Sequence, residues 1–314
     1  MNYPYANGII NAIENQLFNQ NQYSKLHKIS ENDFIKQLKE FGYGLNDDNV
    51  EASIASEMLK LRELINEISP NHKTTNLFFL EADAVNIKAL LKRKVFNSQV
   101  NVLLDGGNIL YEKLEQALFY EDFSDLPKDI VVLLKDIIKK IEEEISPYEL
   151  SVLVDKKIYQ YIFKSLPLLK DLALKEYFQL VVDVKNIIMF IRAKAINWNY
   201  QRLSMMFLKN GLISLTIFEE AYQKTTEDSI ITLFKEYYNE VISDGLKRYF
   251  LNNDIDLLER YLEQMIINIM RKHRYDSFGI GTIIYYYLAK HAEANNIRLL
   301  YSDDVVTLDD LREY

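Results

Sequence analysis

The sequence predicts an all-α chain, and three observations carry that expectation. Nine Gly and five Pro among 314 residues leave few places for tight turns, so long helices with short links follow. Apolar residues recur at helical spacing wherever they are dense, and no segment sustains the period-two alternation of a strand. The length allows two domains or one large helical body built from similar lobes.

Composition excludes several classes of function. Cysteine is absent, which removes disulfides, thiolate metal sites and cysteine nucleophiles and points to a reducing compartment. A net charge of −9, with no segment forming a basic arm, argues against a nucleic-acid binder. The first twenty residues hold no Lys or Arg and no long apolar run, so neither a signal nor a transit peptide is expected. The longest uncharged apolar stretch, Phe278 to Ala289, falls short of the roughly 18 residues that span a bilayer, so any membrane association is expected to be peripheral.

Taken along the chain, helix starts and stripes appear in order. Ser30 with Asp33 is a helix-start signal. Asp47, Asp48 and Glu51 form Asp-Asp-x-x-Glu, read either as a turn and helix cap after Gly44 or as Mg²⁺ ligands of a diphosphate enzyme. Ile130, Leu133, Leu134, Ile137, Ile138, Ile141 and Ile145 make an apolar stripe, with Lys135, Lys139, Lys140, Glu142 and Glu143 on a solvated face. Ser146, Pro147 and Glu149 announce the next helix through a capping box with proline at its first position. Thr225 with Asp228 and Thr307 with Asp310 are weaker starts. The amphipathic run from Leu257 to Met270 ends in Arg271, Lys272, His273 and Arg274, which either complement the helix C-terminus or meet an acidic partner or anionic lipid. Tyr285 to Tyr287 would be contact residues if exposed.

An internal near-repeat stands above these local signals. Asp83, Asn86 and Ile87 precede Leu90 and Leu91; Asp183, Asn186 and Ile187 precede Phe190 and Ile191; Glu293, Asn296 and Ile297 precede Leu300 and Tyr301. On a helix each set shares one face, so a carboxylate and an amide are set into an apolar stripe. A buried carboxylate or amide costs several kcal/mol, roughly 2–7 by transfer estimates, unless it is hydrogen-bonded, so these six residues are expected to pin helix to neighbour. Basic residues follow each set: Lys88, Lys92, Arg93 and Lys94, then Arg192 and Lys194, then Arg298. Of these, Lys88, Lys92, Arg93, Arg192, Lys194 and Arg298 are candidates for contact with a partner. The first two repeats extend further and align Gly107 with Gly211, each reading as helix, glycine break, helix. Asp105, Asn108 and Ile109 also fit the string, so its helical context and spacing carry the meaning.

Catalytic signatures are missing. His27, His72, His273 and His291 have no partner at metal-ligand spacing, no Gly-x-x-x-x-Gly-Lys loop is present, and Gly-x-Ser-x-Gly is absent. The glycine pairs Gly42/Gly44 and Gly279/Gly281 lack the third glycine of a dinucleotide fingerprint. The sequence therefore leads to expect no catalytic residue, no metal and no cofactor.

The residues resemble a known family, the C-type subunit of bacterial and archaeal V/A-type rotary ATPases, whose eukaryotic V-ATPase counterpart is the d-type subunit. The resemblance is carried by Tyr275 to Leu300 (YDSFGIGTIIYYYLAKHAEANNIRLL), Asp183 to Lys194 (DVKNIIMFIRAK) and Asp83 to Lys94 (DAVNIKALLKRK). It extends to the ending Leu308 to Tyr314 (LDDLREY) and the opening Tyr5-Ala6-Asn7. Ile9 and Ile10 stand near where the family usually carries Arg, and Gly279 and Gly281 occupy a stretch where it often has proline. The resemblance implies a funnel-shaped body of three similar lobes around a pseudo-threefold axis, with approximate limits 1–110, 111–215 and 216–314 and the chain ends sharing a lobe. It implies a non-catalytic rotor subunit joining the D- and F-type central stalk subunits to the membrane proteolipid ring, and transmitting torque for ATP-coupled H⁺ or Na⁺ transport. Such a subunit is cytoplasmic and peripheral on the membrane. Two rival readings remain, a helical-repeat scaffold unrelated to the ATPase and the Mg²⁺-dependent diphosphate enzyme.

Overall fold

The computed structural model describes residues 2–45, 48–98, 106–141, 145–302 and 306–314, and among them every regular element is helical. The chain divides into two compact units. The first comprises Met1–Asn86, Val102–Tyr111 and Met270–Tyr314, the second Ile87–Asn101 and Glu112–Ile269.

In the first unit lie α1 (Tyr3–Ile13), α2 (Gln20–Leu26), α3 (Glu31–Glu40), α4 (Val50–Ile68), the opening turns of α5 (His72–Phe96) and α15 (Gly281–Ser302), with α15 packed on α4 and α1. Helix α15 buries fourteen of its 22 residues. A helix covered on so many sides cannot be amphipathic, and its few polar positions then need internal partners. Phe18, Tyr23, Phe34, Tyr43 and Ile54 gather around Ala294, Ile297 and Leu300 to form the core. The rings of Phe18, Tyr23, Phe41 and Tyr43 meet at centroid distances of 5.4–5.8 Å, largely edge to face, the geometry that aromatic quadrupoles favour.

The second unit holds α6 (Tyr111–Tyr120), α7 (Lys128–Lys139), α8 (Pro147–Leu169), α9 (Leu172–Ala195), α10 (Tyr200–Ser204), α11 (Leu215–Gln223), α12 (Glu227–Leu233), α13 (Val241–Asn252) and α14 (Ile255–Met270). Helix α9 buries fourteen of its 24 residues, and Phe190 sits among Phe218, Tyr222 and Phe234 at ring separations of 6.0–6.3 Å.

Several starts follow the sequence. Ser30 caps α3 by accepting from the Asp33 N–H, and Ser146 with Glu149 closes a full capping box on α8. Thr307 and Asp310 form the same reciprocal pair on a 3-10 turn, Leu308–Asp310. Others differ. The helix expected from Thr225 begins one residue later, after Thr226, whose hydroxyl bonds Ser229 and makes no backbone cap. The stripe starting at Ile130 buries Ile130, Leu133, Leu134 and Ile137, but α7 stops at Lys139. There the Lys140 and Ile141 N–H groups bond carbonyls three residues back, so the last turn tightens and the stripe does not reach Ile145 as helix. Glu142 and Glu143 lie outside the described residues. Tyr285 and Tyr286 are core residues and not a contact surface, because α15 is enclosed along their face.

Candidate functional site

The three acid-x-x-Asn helices place their carboxylates alike. Asp83 on α5 is fully buried and accepts from the backbone N–H groups of Asn108 at 3.1 Å and Ile109 at 3.0 Å, and from Asn108 Nδ2 at 2.8 Å. Asp183 on α9 is equally buried and accepts from the Leu212 N–H at 2.8 Å, the Ile213 N–H at 3.2 Å and the Tyr238 hydroxyl. Glu293 on α15 accepts from the Phe18 N–H at 2.7 Å and from the Lys290 ammonium.

In each case the pinned backbone leads into a short helix. Ile109 precedes the start of α6 by two residues, Ile213 precedes the Ser214 cap of α11, and Phe18 precedes the Asn19 cap of α2. The carboxylate therefore fixes the entry of a short helix onto a long one, satisfying backbone donors that burial removes from water. The aligned glycines explain themselves here. A Cβ on Gly107 would overlap Asp83 Oδ1, and one on Gly211 would overlap Asp183 Oδ1, so only glycine lets the loop close on the acid.

The asparagines add a second clasp. Asn186 gives its Nδ2 to the Leu208 carbonyl at 2.9 Å and receives the Leu208 N–H at 2.8 Å. Asn296 does the same with Arg312, at 2.9 and 2.8 Å. A side-chain amide that pairs with both groups of one residue mimics a rung of β-structure, and it holds a non-helical segment against a helix. Asn86 is buried on the corresponding face of α5. The third set differs in where its partners come from. Phe18 and Arg312 belong to the two ends of the chain, and the Tyr314 hydroxyl reaches the Phe18 carbonyl at 2.8 Å and the Tyr23 hydroxyl at 2.7 Å.

Burial sets the electrostatics. It pushes the carboxyls of Asp83 and Asp183 up to about 6, against the opposing pull of the N–H and O–H donors, and it raises Glu293 likewise. Burial lowers Lys88 in spite of the Asp155 carboxylate beside it.

Most of the basic residues that follow each set are engaged by carboxylates or carbonyls of their own unit. Lys88 pairs with Asp155 at 2.9 Å, Arg93 with Glu115 and across the Phe119 ring, Arg192 with Glu259, and Arg298 with both oxygens of Glu51 at 2.9 Å. Lys194 holds the Tyr222 and Lys224 carbonyls at the end of α11, and Lys94 holds the Leu118 carbonyl near the end of α6. Lys92 is half-buried and pairs with no described carboxylate. The Arg192 and Arg298 side chains keep 52% and 41% exposure.

Of the Asp-Asp-x-x-Glu string, Asp47 lies outside the described residues, Asp48 is fully exposed near Lys39, and Glu51 is engaged by Arg298. Asn49 caps α4. Among the described residues no group of three His, Asp or Glu is gathered to hold a metal ion, and no helix is long and apolar enough to cross a membrane.

Sequence reasoning missed Lys290, Tyr238 and the backbone of Phe18 as members of the pins. Lys290, three residues before Glu293, was open to detection by helical spacing. Tyr238 and Phe18 carry no local signal, because the acids they serve are 55 and 275 residues away.

Similarity to known proteins extends over nearly the whole chain. It is 22% identical to the C-type subunit of the A-type ATP synthase of Methanothermobacter thermautotrophicus, over 95% of its own length and 83% of that protein's. It is 24% identical to the corresponding A-type ATP synthase protein of Pyrococcus furiosus over 95% and 85%, and 23% identical to that of Thermococcus onnurineus over 99% and 89%. Residues 6–302 match the family model described as ATP synthase (C/AC39) subunit. With residues 6–302 matched by the family model and an all-helical body, the chain belongs to the ATP synthase (C/AC39) subunit family, an accessory subunit of the V/A-type rotary ATPases.

Proposed function

We propose that this chain is the central-rotor adaptor of its ATPase. It seats the D- and F-type stalk subunits at one end, rests on the proteolipid ring at the other, and passes torque between them for H⁺ or Na⁺ transport. It is peripheral, on the cytoplasmic side of the membrane, and needs no cofactor of its own. Its body is a funnel of three similar lobes, approximately 1–110, 111–215 and 216–314, with both chain ends closing one of them.

The observation that carries this reading is the threefold recurrence of one device, a buried carboxylate on a long helix accepting the backbone N–H just ahead of a short helix. A torque adaptor must not shear, and a pin buried in low dielectric resists sliding more than apolar contact alone. The third pin uses Phe18 from one chain end, and the neighbouring Asn296 clasp uses Arg312 from the other, which supports a lobe shared by the ends.

For the stalk seat we assign the basic residues that follow the pins, Lys88, Lys92, Arg93, Arg192, Lys194 and Arg298. Arg192 and Arg298 are the strongest, since both remain partly exposed although each is paired with a carboxylate, Glu259 and Glu51. The double charge reversal Arg192→Glu/Arg298→Glu is expected to weaken binding of the isolated stalk subcomplex by about tenfold or more. Because reversal also sets Glu against Glu259 and Glu51, Arg192→Gln/Arg298→Gln is measured beside it, with unfolding followed for both. Unchanged affinity in the folded variants would remove these residues from the interface.

A further inference from the structure

The segment Arg271–Ile280, leading into α15, is absorbed by none of the pins. It opens with a 3-10 turn, Arg271–His273, and presents Tyr275 at 71% and Phe278 at 82% exposure. Two large rings so exposed within four residues make one apolar spot on the surface. Their display is built and not loose. Asn7, buried on α1, donates its Nδ2 to the carbonyls of Asp276 at 2.5 Å and Gly279 at 3.2 Å. Thr282 Oγ1 donates to the same Asp276 carbonyl at 3.0 Å, and Asp276 Oδ1 receives the N–H groups of Phe278 at 3.0 Å and Gly279 at 3.2 Å. A Cβ at Gly281 would stand 2.6 Å from His273 Cβ, so the turn and the helix start are closely apposed.

The charge around the two rings is the reverse of the whole chain's. Against a net charge of −9, the stretch from Met265 to Gly281 carries Arg271, Lys272, Arg274 and His273 with one acid, Asp276. The Asp276 carboxylate is turned onto the loop backbone, and Glu14 pairs with Arg274, whose guanidinium lies over the rings of Tyr275 and Tyr285. Arg271 and Lys272 are exposed.

Exposed aliphatic side chains beside lysines occur, separately, in the second unit. The turn between α8 and α9 exposes Leu168 at 83% and Leu172 at 79%, next to exposed Lys164, Lys170 and Lys175. Lys170 ends α8 in a left-handed conformation with φ of 55°.

We propose that the Arg271–Ile280 loop is a contact for anionic phospholipid headgroups, with Phe278 and Tyr275 entering the interfacial layer and Arg271 and Lys272 meeting phosphate. It rests on the reading of the chain as a subunit seated at the membrane, and it names what that seat touches besides protein. Large aromatic side chains beside cations suit the interface, where the ring is partly withdrawn from water while the charges stay hydrated and face negative lipid.

The test uses the full-length purified chain and sedimentable vesicles, either phosphatidylcholine alone or an equimolar mixture with phosphatidylglycerol, at low salt. Binding to the anionic vesicles is expected to exceed binding to the neutral ones at least about tenfold, consistent with about 1 kcal/mol per basic residue near such a surface. Phe278→Ser and Arg271→Glu/Lys272→Glu should each lose most of it, while Phe278→Trp retains it. All are surface changes, so thermal unfolding should match the parent. Equal binding to both vesicle types, or undiminished binding by the two disruptive variants, would overturn the proposal. So would vesicle indifference coupled with loss of binding to the detergent-solubilised ring, since that assigns the loop to a protein contact. Failure of the chain to co-purify with stalk and ring would strike the rotor reading instead, and it leaves the vesicle result to be judged by itself.

Discussion

Among the described residues no basic group meets Asp183; its oxygens are met by two backbone N–H groups and the Tyr238 hydroxyl. Burial dominates these donors and leaves the carboxyl titrating at about 6, against an ordinary value of 3.8. The folded state therefore binds its proton more tightly than the unfolded state. From about pH 4 to pH 6 the native chain holds more protons, so this group's contribution to stability falls as pH rises through that window. Asp83 acts in the same direction, also titrating at about 6, whereas His291, lowered to about 4 by burial, acts in the opposite one. The clean measurement is thus a difference. Chemical unfolding of Asp183→Asn, which mimics the protonated acid, should show a stability-versus-pH slope between pH 4 and 6 less negative than the parent's, worth on the order of 2–3 kcal/mol across the window. Parallel curves would mean that Asp183 keeps an ordinary acidity in the fold.

Among elements, the recurring unit is a long helix, a pinned turn and a short helix, and it recurs with different chain connections. In the first two sets the pinned turn lies 25–30 residues after the acid, whereas in the third it is gathered from Phe18 and Arg312. The Asn296 clasp is what holds Arg312. Asn296→Ala should cost about 2 kcal/mol, since it strands the Arg312 N–H and carbonyl, and it should make the Leu311–Tyr314 segment cleavable by protease at concentrations that leave the parent intact. Equal protease resistance would show that Tyr314, through Tyr23 and Phe18, suffices to hold that end.

The acids, asparagines and glycines of this device were legible in the sequence because each breaks a local rule. A carboxylate on an apolar helical stripe demands a partner, and a glycine aligned across two repeats demands a close approach. What they bind was not legible. The partners are mostly backbone N–H groups, which nearly every residue owns, and the third comes from 275 positions away. Local signals fall short where tertiary contact decides: α7 ends before its apolar stripe does, and the exposure on which a contact role for Tyr285 to Tyr287 depended is settled only by the burial of Tyr285 and Tyr286 in the enclosed α15.

For the molecule as a whole, composition and repeat pointed to a helical body without chemistry, and the family match over residues 6–302 places it in a rotary ATPase. Membership in that family is a statement about assembly, so assembly is where the rotor account is most exposed. The most direct measurement is to tag the protein in its source cells, solubilise the membranes gently and identify by mass spectrometry what is retained. The account predicts recovery of the ATPase head, the D- and F-type stalk subunits and the proteolipids in one complex. Recovery of the tagged chain alone, with the ATPase intact in other fractions, would contradict it.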